Sequence, residues 1–263
     1  PEEAQKRRRQ KKLRRFLKKL IAVMVIVIIG LCVYIFRDKW LPLFEGIGTR
    51  YNNAIQNSGE LAVGNFPIET GDDANYQTHV TDSYLTYLDD THFYMFSADG
   101  EKVADRQHDY SSPVLRGGGK RALVYDSGGK KFRVESKQKT VYEKTMENNI
   151  ILARISGNDM TAVVTESESF ACVMNIFNAD GTDCYTLKNV EGRITDIKFR
   201  SAGDGCIVSN ISVSGGRLVS YLSSYSFSKA EADWQSQSID TMIISVNILN
   251  DGTIAVIGDT KCA

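Results

Sequence analysis

The sequence is poor in the residues that usually bind metals or catalyse reactions. Its 263 residues include three histidines, His79, His92 and His108, and their spacing matches neither HxH nor HExxH. The five cysteines form no CxxC motif, which argues against zinc-binding and redox motifs. No GxSxG elbow occurs, although a catalytic triad assembled from distant residues stays open as an alternative. We therefore assign no catalytic, cofactor-binding or metal-binding residue from the sequence, and we expect no cofactor.

Two segments resemble ligand-binding loops but depart from the motifs. The run Gly117-Gly118-Gly119-Lys120 is followed by Arg121 and a strand-like sequence, whereas a P-loop continues with Ser or Thr and a helix. Around Gly181, a calcium loop would place Ile176 and Leu187 at its first and last ligand positions. Both of those residues are apolar. We interpret both segments as hairpin turns.

The charges are unevenly distributed along a chain whose net charge is zero. Residues 1–19 contain ten Lys or Arg and two Glu, so this segment carries +8 and the rest of the chain −8. Residues 20–36 follow without a single charged side chain. As a helix they would rise about 26 Å at 1.5 Å per residue, slightly short of a ~30 Å hydrocarbon core. Lys18, Lys19 and Arg37 can extend towards the head groups, so we predict a transmembrane helix over residues 20–36, in contact with the lipid bilayer.

The basic flank sets the predicted topology. Positive residues stay in the cytoplasm, so residues 1–19 are expected there, with the remainder extracytoplasmic. We interpret residues 37–60 as a connector and residues 61–263 as an extracytoplasmic domain of a single-pass cell-membrane protein. A cleaved signal peptide is disfavoured because Phe36–Leu41 contains no small-x-small cleavage site. Topology already explains the basic segment, so we expect no nucleic-acid partner.

Beyond residue 60 the sequence shows no convincing long amphipathic helix, but a strand pattern recurs. Gly, Asn and Asp turns fall in phase around five apolar runs, as tight hairpins require. The starts of these runs are 38, 40, 44 and 48 residues apart: Tyr84–Leu88, Ala122–Tyr125, Ala162–Thr165, Cys206–Ser209 and Ile254–Ile257. Four short strands in a period of about 40–45 residues are typical of a propeller blade. The pattern therefore predicts an all-β, WD40-like β-propeller, with a β-sandwich as the alternative.

The repeats do not end on a complete period. Four full periods follow Tyr84, and Met242–Leu249 and Thr253–Ile257 are expected to be the first two strands of a fifth. Phe66–Val80 would supply one strand at most before the first period. The chain also begins with Pro1 rather than Met. We therefore expect a propeller truncated at its C-terminal end, an open arc of about four blades.

Several segments resemble one bacterial family, domain-of-unknown-function family 5711. These segments are Ser112–Leu115, Lys120–Gly129, Phe132–Glu135, Lys139–Lys144, Ala162–Glu166 and Val256–Thr260. The resemblance covers roughly residue 60 to the end of the chain. It implies a single-pass protein of Gram-positive bacteria with a WD40- or YVTN-like propeller domain. It carries over no catalytic residue.

Cysteines and aromatic residues leave further alternatives. An extracytoplasmic location permits disulfides among Cys172, Cys184, Cys206 and Cys262. A hairpin folded about Asp180-Gly181 would pair Cys172 with about residue 189 rather than with Cys184, so buried single cysteines are favoured. The stretch from Tyr221 to Asp240 holds Tyr221, Tyr225, Phe227 and Trp234 in what we interpret as a long connection. These aromatic residues would form a binding rim or, by preference, pack between blades.

The expected function is non-enzymatic. A rigid propeller presents loops at both faces of a central channel, so we expect a binding or scaffolding module with a protein or cell-envelope partner. An envelope enzyme, hydrolase or cofactor-dependent, is the alternative. A channel mouth with His, Asp and Ser would favour the enzyme, and a channel lined by small and apolar residues would favour the scaffold.

Overall fold

The computed structural model describes residues 65, 68, 75–190 and 192–262. The basic segment 1–19, the predicted transmembrane helix 20–36 and the connector 37–60 lie outside these described residues. Within the described ranges the secondary structure is strands and turns, without an α-helix. Accordingly, no helix in this part of the chain is long and apolar enough to cross a membrane.

The strands form consecutive antiparallel sheets, each following the order of the chain. The first sheet, blade 1, consists of β1 (Gln77–Thr81), β2 (Tyr84–Leu88), β3 (His92–Phe96) and β4 (Lys102–Gln107). Blade 2 consists of β5 (Pro113–Gly117), β6 (Ala122–Asp126), β7 (Lys131–Glu135) and β8 (Thr140–Thr145). Blade 3 consists of β9 (Ile150–Ile155), β10 (Thr161–Thr165), β11 (Cys172–Phe177) and β12 (Asp183–Asn189).

The remaining strands continue the same pattern. Blade 4 consists of β13 (Arg193–Phe199), β14 (Gly205–Ser214), β15 (Arg217–Ser226) and β16 (Trp234–Gln235). Blade 5 comprises β17 (Ile243–Ile248) and β18 (Ile254–Gly258) in the described residues. Sheets of four strands in meander order are typical of propeller blades rather than of the β-sandwich alternative. The four periods and the opening of a fifth are therefore confirmed, and extension of the domain past blade 5 stays a prediction.

The apolar runs found in the sequence are the second strands of the blades. Their predicted starts at Tyr84, Ala122 and Ile254 are confirmed, but β10 begins at Thr161 and β14 at Gly205, each one residue earlier than predicted. In β10 the difference matters because neighbouring side chains point to opposite faces of a strand. Ala162 packs towards blade 4, whereas Ala122 packs towards blade 1.

Apolar clusters between successive blades form the core. The blade 2–3 cluster contains Leu123, Phe132 and Val163, all fully buried. Corresponding clusters join blades 1 and 2, blades 3 and 4, and blades 4 and 5. Burying one such side chain contributes about 1.5–3 kcal/mol, so the clusters are the main source of stability.

A buried ionic cluster reinforces the interface between blades 1 and 2. Glu135 on β7 is completely buried and forms ion pairs with Arg133 at 2.7 Å and with Arg106 of β4 at 3.1 Å. Thr140 also donates a hydrogen bond to the Glu135 carboxylate. Burial raises the pKa of Glu135, and the two arginines oppose that effect. Because each charge has a partner, the cluster fits a structural role.

The turn that resembled a calcium loop is a hairpin turn. Gly181, between β11 and β12, has a φ of +88°, a conformation that favours glycine. An added Cβ would also lie 2.7 Å from the ring of Tyr142, so the glycine permits close packing against blade 2. The Asp180 carboxylate accepts hydrogen bonds from the Thr182 backbone and hydroxyl groups. Those bonds stabilise the turn itself.

Candidate functional site: the inner groove

The first strand of each blade is the inner strand, and the inner strands of consecutive blades lie side by side. Along β5, β9, β13 and β17 they border a cavity of about 570 Å³, here called the inner groove. Its lining residues are Arg116, Arg154, Ile155, Ser156, Gly157, Asn158, Asp196, Ile197, Lys198, Phe199, Arg200, Ser201, Ser245 and Val246. Most of them carry polar or charged side chains, so the groove is a polar site.

A basic side chain occupies the same position in three successive inner strands. Arg116, Arg154 and Lys198 are the penultimate residues of β5, β9 and β13. They are paired across the hairpins with Leu123, Ala162 and Ile207, respectively. The equivalent residues of β1 and β17 are Val80 and Asn247. The propeller repeat therefore places three cations side by side along the inner groove, which we call the basic row.

Asp196 neutralises the central member of the basic row. Its carboxylate accepts a hydrogen bond from Arg154 Nε at 2.8 Å and one from the backbone N–H of Val246, also at 2.8 Å. The Asp196 side chain is almost completely buried, whereas the Arg154 side chain is 26% exposed. One carboxylate thus links the inner strands of blades 3, 4 and 5.

The two outer members of the basic row are not neutralised in this way. Among the described residues, neither Arg116 nor Lys198 has an acidic side chain within ion-pair distance. Arg116 Nη1 donates a hydrogen bond to the carbonyl of Leu115 at 2.8 Å. Burial lowers the pKa of Arg116, and the charge of Arg154 lowers it further, against the opposing effect of Asp196. A guanidinium nevertheless stays protonated in proteins, so Arg116 presents a partly desolvated positive charge.

The fourth basic residue of the lining, Arg200, is engaged outside the row. It pairs with Asp204 at 3.1 Å and with Asp233 at 3.6 Å, and it donates a hydrogen bond to the Ser226 hydroxyl. Its charge is therefore compensated by two carboxylates. The unbalanced charge of the groove comes from the basic row alone.

The glycine run of blade 2 lies close to this site but forms a hairpin turn. Gly117 ends β5, and Gly118 and Gly119 begin the turn to β6, as the turn interpretation predicted. A Cβ on Gly119 would lie 2.0 Å from the carbonyl of Gly157, so the glycine allows the turns of blades 2 and 3 to touch. Asp159 receives a hydrogen bond from the Lys120 backbone N–H at 3.0 Å. These contacts hold the two turns together beside the groove.

The histidines do not converge on a common site. His79 lies on β1, His92 stacks on Tyr94, and His108 is buried in the connection between blades 1 and 2. Within the described ranges, no three His, Cys, Asp or Glu side chains are grouped as a metal site would require. The inner groove includes Asp196 and several serines but no histidine among its described lining residues. Over the described part of the chain, the groove therefore has neither the His, Asp and Ser combination expected of an enzyme nor the small and apolar lining expected of a scaffold.

The four cysteines of the described residues are free thiols: Cys172, Cys184, Cys206 and Cys262. Cys172 is paired with Asn189 across the β11–β12 hairpin, as predicted, so it does not face Cys184. Its sulfur accepts a hydrogen bond from the Ile194 backbone N–H at 3.5 Å. Burial raises the pKa of Cys206 to about 12, which keeps this thiol protonated and unreactive.

The interpretation of residues 221–240 as one long connection was wrong for its first part. Tyr221 and Tyr225 belong to β15, and both are buried. Tyr225 and Phe227 pack in the cluster between blades 3 and 4, which favours the packing alternative. Trp234 on β16 remains 40% exposed.

The basic row is the feature that sequence reasoning missed. Each member is flanked by uncharged residues and lies just before a turn, in Leu115-Arg116-Gly117, Ala153-Arg154-Ile155 and Ile197-Lys198-Phe199. Their recurrence in phase with the blades is a usable signal. Single charges in short strands usually belong to a solvated face, so the signal is visible only once the strand register is known.

Structure comparisons identify the fold. The chain is similar to the Dos1 propeller, with a TM-score of 0.50 and 10% identity over 66% of this chain and 50% of that chain. It is also similar to the Cps50 (Swd1) β-propeller domain of Myceliophteria thermophila, with a TM-score of 0.53 and 12% identity over 73% of this chain and 65% of that one. A third similar structure is Kuenenia stuttgartiensis hydrazine synthase, with a TM-score of 0.51 and 11% identity, covering 74% and 58% of the two chains.

These similarities establish the β-propeller fold and nothing about activity, because the identities are low. The chain spans between half and two thirds of the length of the structures it matches. No curated protein matches the sequence. A family model does match residues 58–263, which is most of the chain. The protein therefore belongs to the family of unknown function DUF5711.

Proposed function

We propose that the protein is a membrane-anchored binding or scaffolding module that engages its partner through the inner groove. The predicted topology places the basic segment 1–19 in the cytoplasm, the helix 20–36 in the bilayer and the propeller outside the cell membrane. The β-propeller fold supports a binding role because such domains combine a rigid framework with accessible loops. We propose that the module is not itself an enzyme.

One observation carries the proposal: the basic row repeats in blades 2, 3 and 4. Packing does not require this arrangement, since Arg116 and Lys198 find no acidic partner among the described residues. Holding like charges near one another costs folding free energy. Functional sites are where proteins retain such unfavourable groups. The groove is therefore the surface we expect a partner to contact.

Site-specific photocrosslinking in cells tests this role. We would place a photoreactive amino acid at Asn158, which is exposed on the rim of the groove. The matched control is Lys139, which is exposed on the outer turn before β8. We expect one discrete adduct at Asn158 and none at Lys139. Equal labelling at both positions, or none at either, would count against the groove as a contact surface.

Protease treatment tests the anchored topology. Protease added to intact protoplasts is expected to digest the domain after Arg37 and to spare residues 1–19. The protein should also stay in the membrane fraction through a carbonate wash, because residues 20–36 remain uncleaved. Protection of the propeller would reverse the orientation. Release by carbonate, or a mature N-terminus near residue 40, would indicate a secreted product.

A further inference from the structure

We propose that the inner groove binds a ligand carrying a phosphate monoester. This inference rests on the proposed function, because it names the chemistry of the ligand that the same groove would take. The candidate ligands are soluble phosphate monoesters and lipid head groups with a terminal phosphate. The chemistry they share is a compact dianion with three exposed oxygens.

The charge balance of the groove selects a dianion. Arg116, Arg154 and Lys198 supply three positive charges, and Asp196 removes one of them. Arg200 adds nothing, because Asp204 and Asp233 balance it. The excess is therefore two positive charges. A phosphate monoester carries about −1.5 to −2 at neutral pH, whereas a carboxylate carries only −1.

The kinds of cation present also suit phosphate. Arg116 offers a planar guanidinium, of which one N–H is engaged with the Leu115 carbonyl. Its remaining N–H groups can form the paired hydrogen bonds that bind phosphate oxygens strongly. Lys198, two blades further along, supplies a compact point charge, a second common mode of phosphate binding. Ser201 and Ser245 add hydroxyl groups to the lining.

Asp196 sets the position of the ligand within the groove. Its carboxylate is held by Arg154 and by the Val246 backbone N–H, so Arg154 is fixed and its charge is largely spent. The phosphate is then expected to bind between Arg116 and Lys198, over the Arg154–Asp196 pair. Neutralising Asp196 would free the charge of Arg154, so the Asp196→Asn variant should bind phosphate more tightly than the wild type.

Calorimetry on the full chain in detergent micelles at about 50 mM salt tests the proposal. The two probes are glycerol 3-phosphate and the short-chain lipid dihexanoyl phosphatidic acid. We expect the wild type to bind at least one probe, and the R116Q/K198Q double variant to bind it at least tenfold more weakly. Preference for the lipid would identify a head group as the source, and equal binding would identify the phosphate alone.

Arg193→Gln is the matched control. Arg193 lies on the same strand as Lys198, but it is exposed and pairs with Glu166 at 3.7 Å. Its removal deletes one charge outside the groove and should leave phosphate binding unchanged. A thermal melt of each variant checks that it is folded. An equal loss of affinity in R193Q would reveal general charge attraction and would overturn the proposal.

The photocrosslinking at Asn158 distinguishes failure of the proposed ligand class from failure of the groove as a contact surface. If neither phosphate probe binds but the Asn158 adduct still forms, the groove is a contact surface and the ligand class proposed here is wrong. If the probes do not bind and no adduct forms, both proposals fail.

Discussion

The inner groove and the cluster between blades 2 and 3 share strand β9 and differ in almost every other respect. On β9, Ala153 lies in the apolar cluster while its neighbour Arg154 lines the groove. The cluster is buried and apolar, and the groove is polar with an excess of positive charge. Because strand side chains alternate in direction, one strand can bury one residue in the apolar cluster and direct the next into the groove.

The largest effect on stability is expected in the cluster. Phe132 is fully buried and packs against Phe177, with ring centroids 5.4 Å apart. Phe132→Ala should lower the free energy of unfolding by about 3–5 kcal/mol, measured by urea denaturation, because it leaves a cavity. The exposed Val213→Ala should change it by less than about 0.5 kcal/mol. A loss below about 1 kcal/mol for Phe132→Ala would mean that the cluster does not carry the stability of the fold.

Asp196→Asn should affect both the stability of the fold and phosphate binding in the groove, so it tests how the two regions are linked. The variant loses the ion pair with Arg154 but can still accept the hydrogen bond from Val246. Because Arg154 is partly exposed, we expect a loss of about 1–2 kcal/mol, below that of a fully buried pair. Denaturation and calorimetry together should show lower stability and tighter phosphate binding. The control Asp183→Asn removes an exposed carboxylate that lies outside the groove and pairs with Lys144 at 3.5 Å, and similar changes there would contradict the assignment.

A third prediction concerns pH and a site apart from both regions. His108 is buried; its Nε2 hydrogen-bonds to the Asp89 carbonyl at 3.1 Å, and its Nδ1 accepts a hydrogen bond from the Tyr110 backbone N–H. Burial lowers the pKa of His108, and the charge of Arg133 adds to that effect. The neutral form is therefore favoured in the folded state.

It follows that the stability due to His108 is present above the unfolded histidine pKa of about 6.5 and is lost as the pH falls through its lower folded pKa. The loss has a slope of at most about 1.4 kcal/mol per pH unit. Urea midpoints measured between pH 7.5 and pH 5 should show it, and His108→Gln should flatten the profile. An unchanged profile in the variant would assign the pH dependence to other groups.

The smallest effect on stability is expected in the basic row. Arg116→Gln should change the free energy of unfolding by no more than about 0.5 kcal/mol, because the side chain lacks an acidic partner among the described residues and makes one hydrogen bond to its own strand. The same variant should bind glycerol 3-phosphate more weakly. If Arg116→Gln destabilised the protein as much as Phe132→Ala, the basic row would contribute to stability as the cluster does, and the division of roles between them would be wrong.

Much of the fold could be predicted from residue patterns. The second strands of blades 2 and 3 are buried on both faces, so they are largely apolar, and that made the blade period visible. The error at β10 came from aligning Ala162 with Ala122 by residue type, although the hydrogen-bond register places them on opposite faces. The strand character of Tyr221–Ser226 was missed because three of its six residues are serine, which obscures the apolar pattern of a strand.

The sequence by itself determined the all-β architecture, the recurrence of the blade repeat and the turns, because these depend on local periodicity and on glycine and aspartate at hairpins. Only the tertiary structure decided the inner groove. Arg116, Arg154 and Lys198 are 38 and 44 residues apart in the chain and meet only because the blades place equivalent positions side by side. Whether a cation of the basic row pairs with a carboxylate depends on contacts between blades. Arg154 on β9, for example, pairs with Asp196 on β13, the next inner strand. That compensation depends on distances that a linear sequence does not contain.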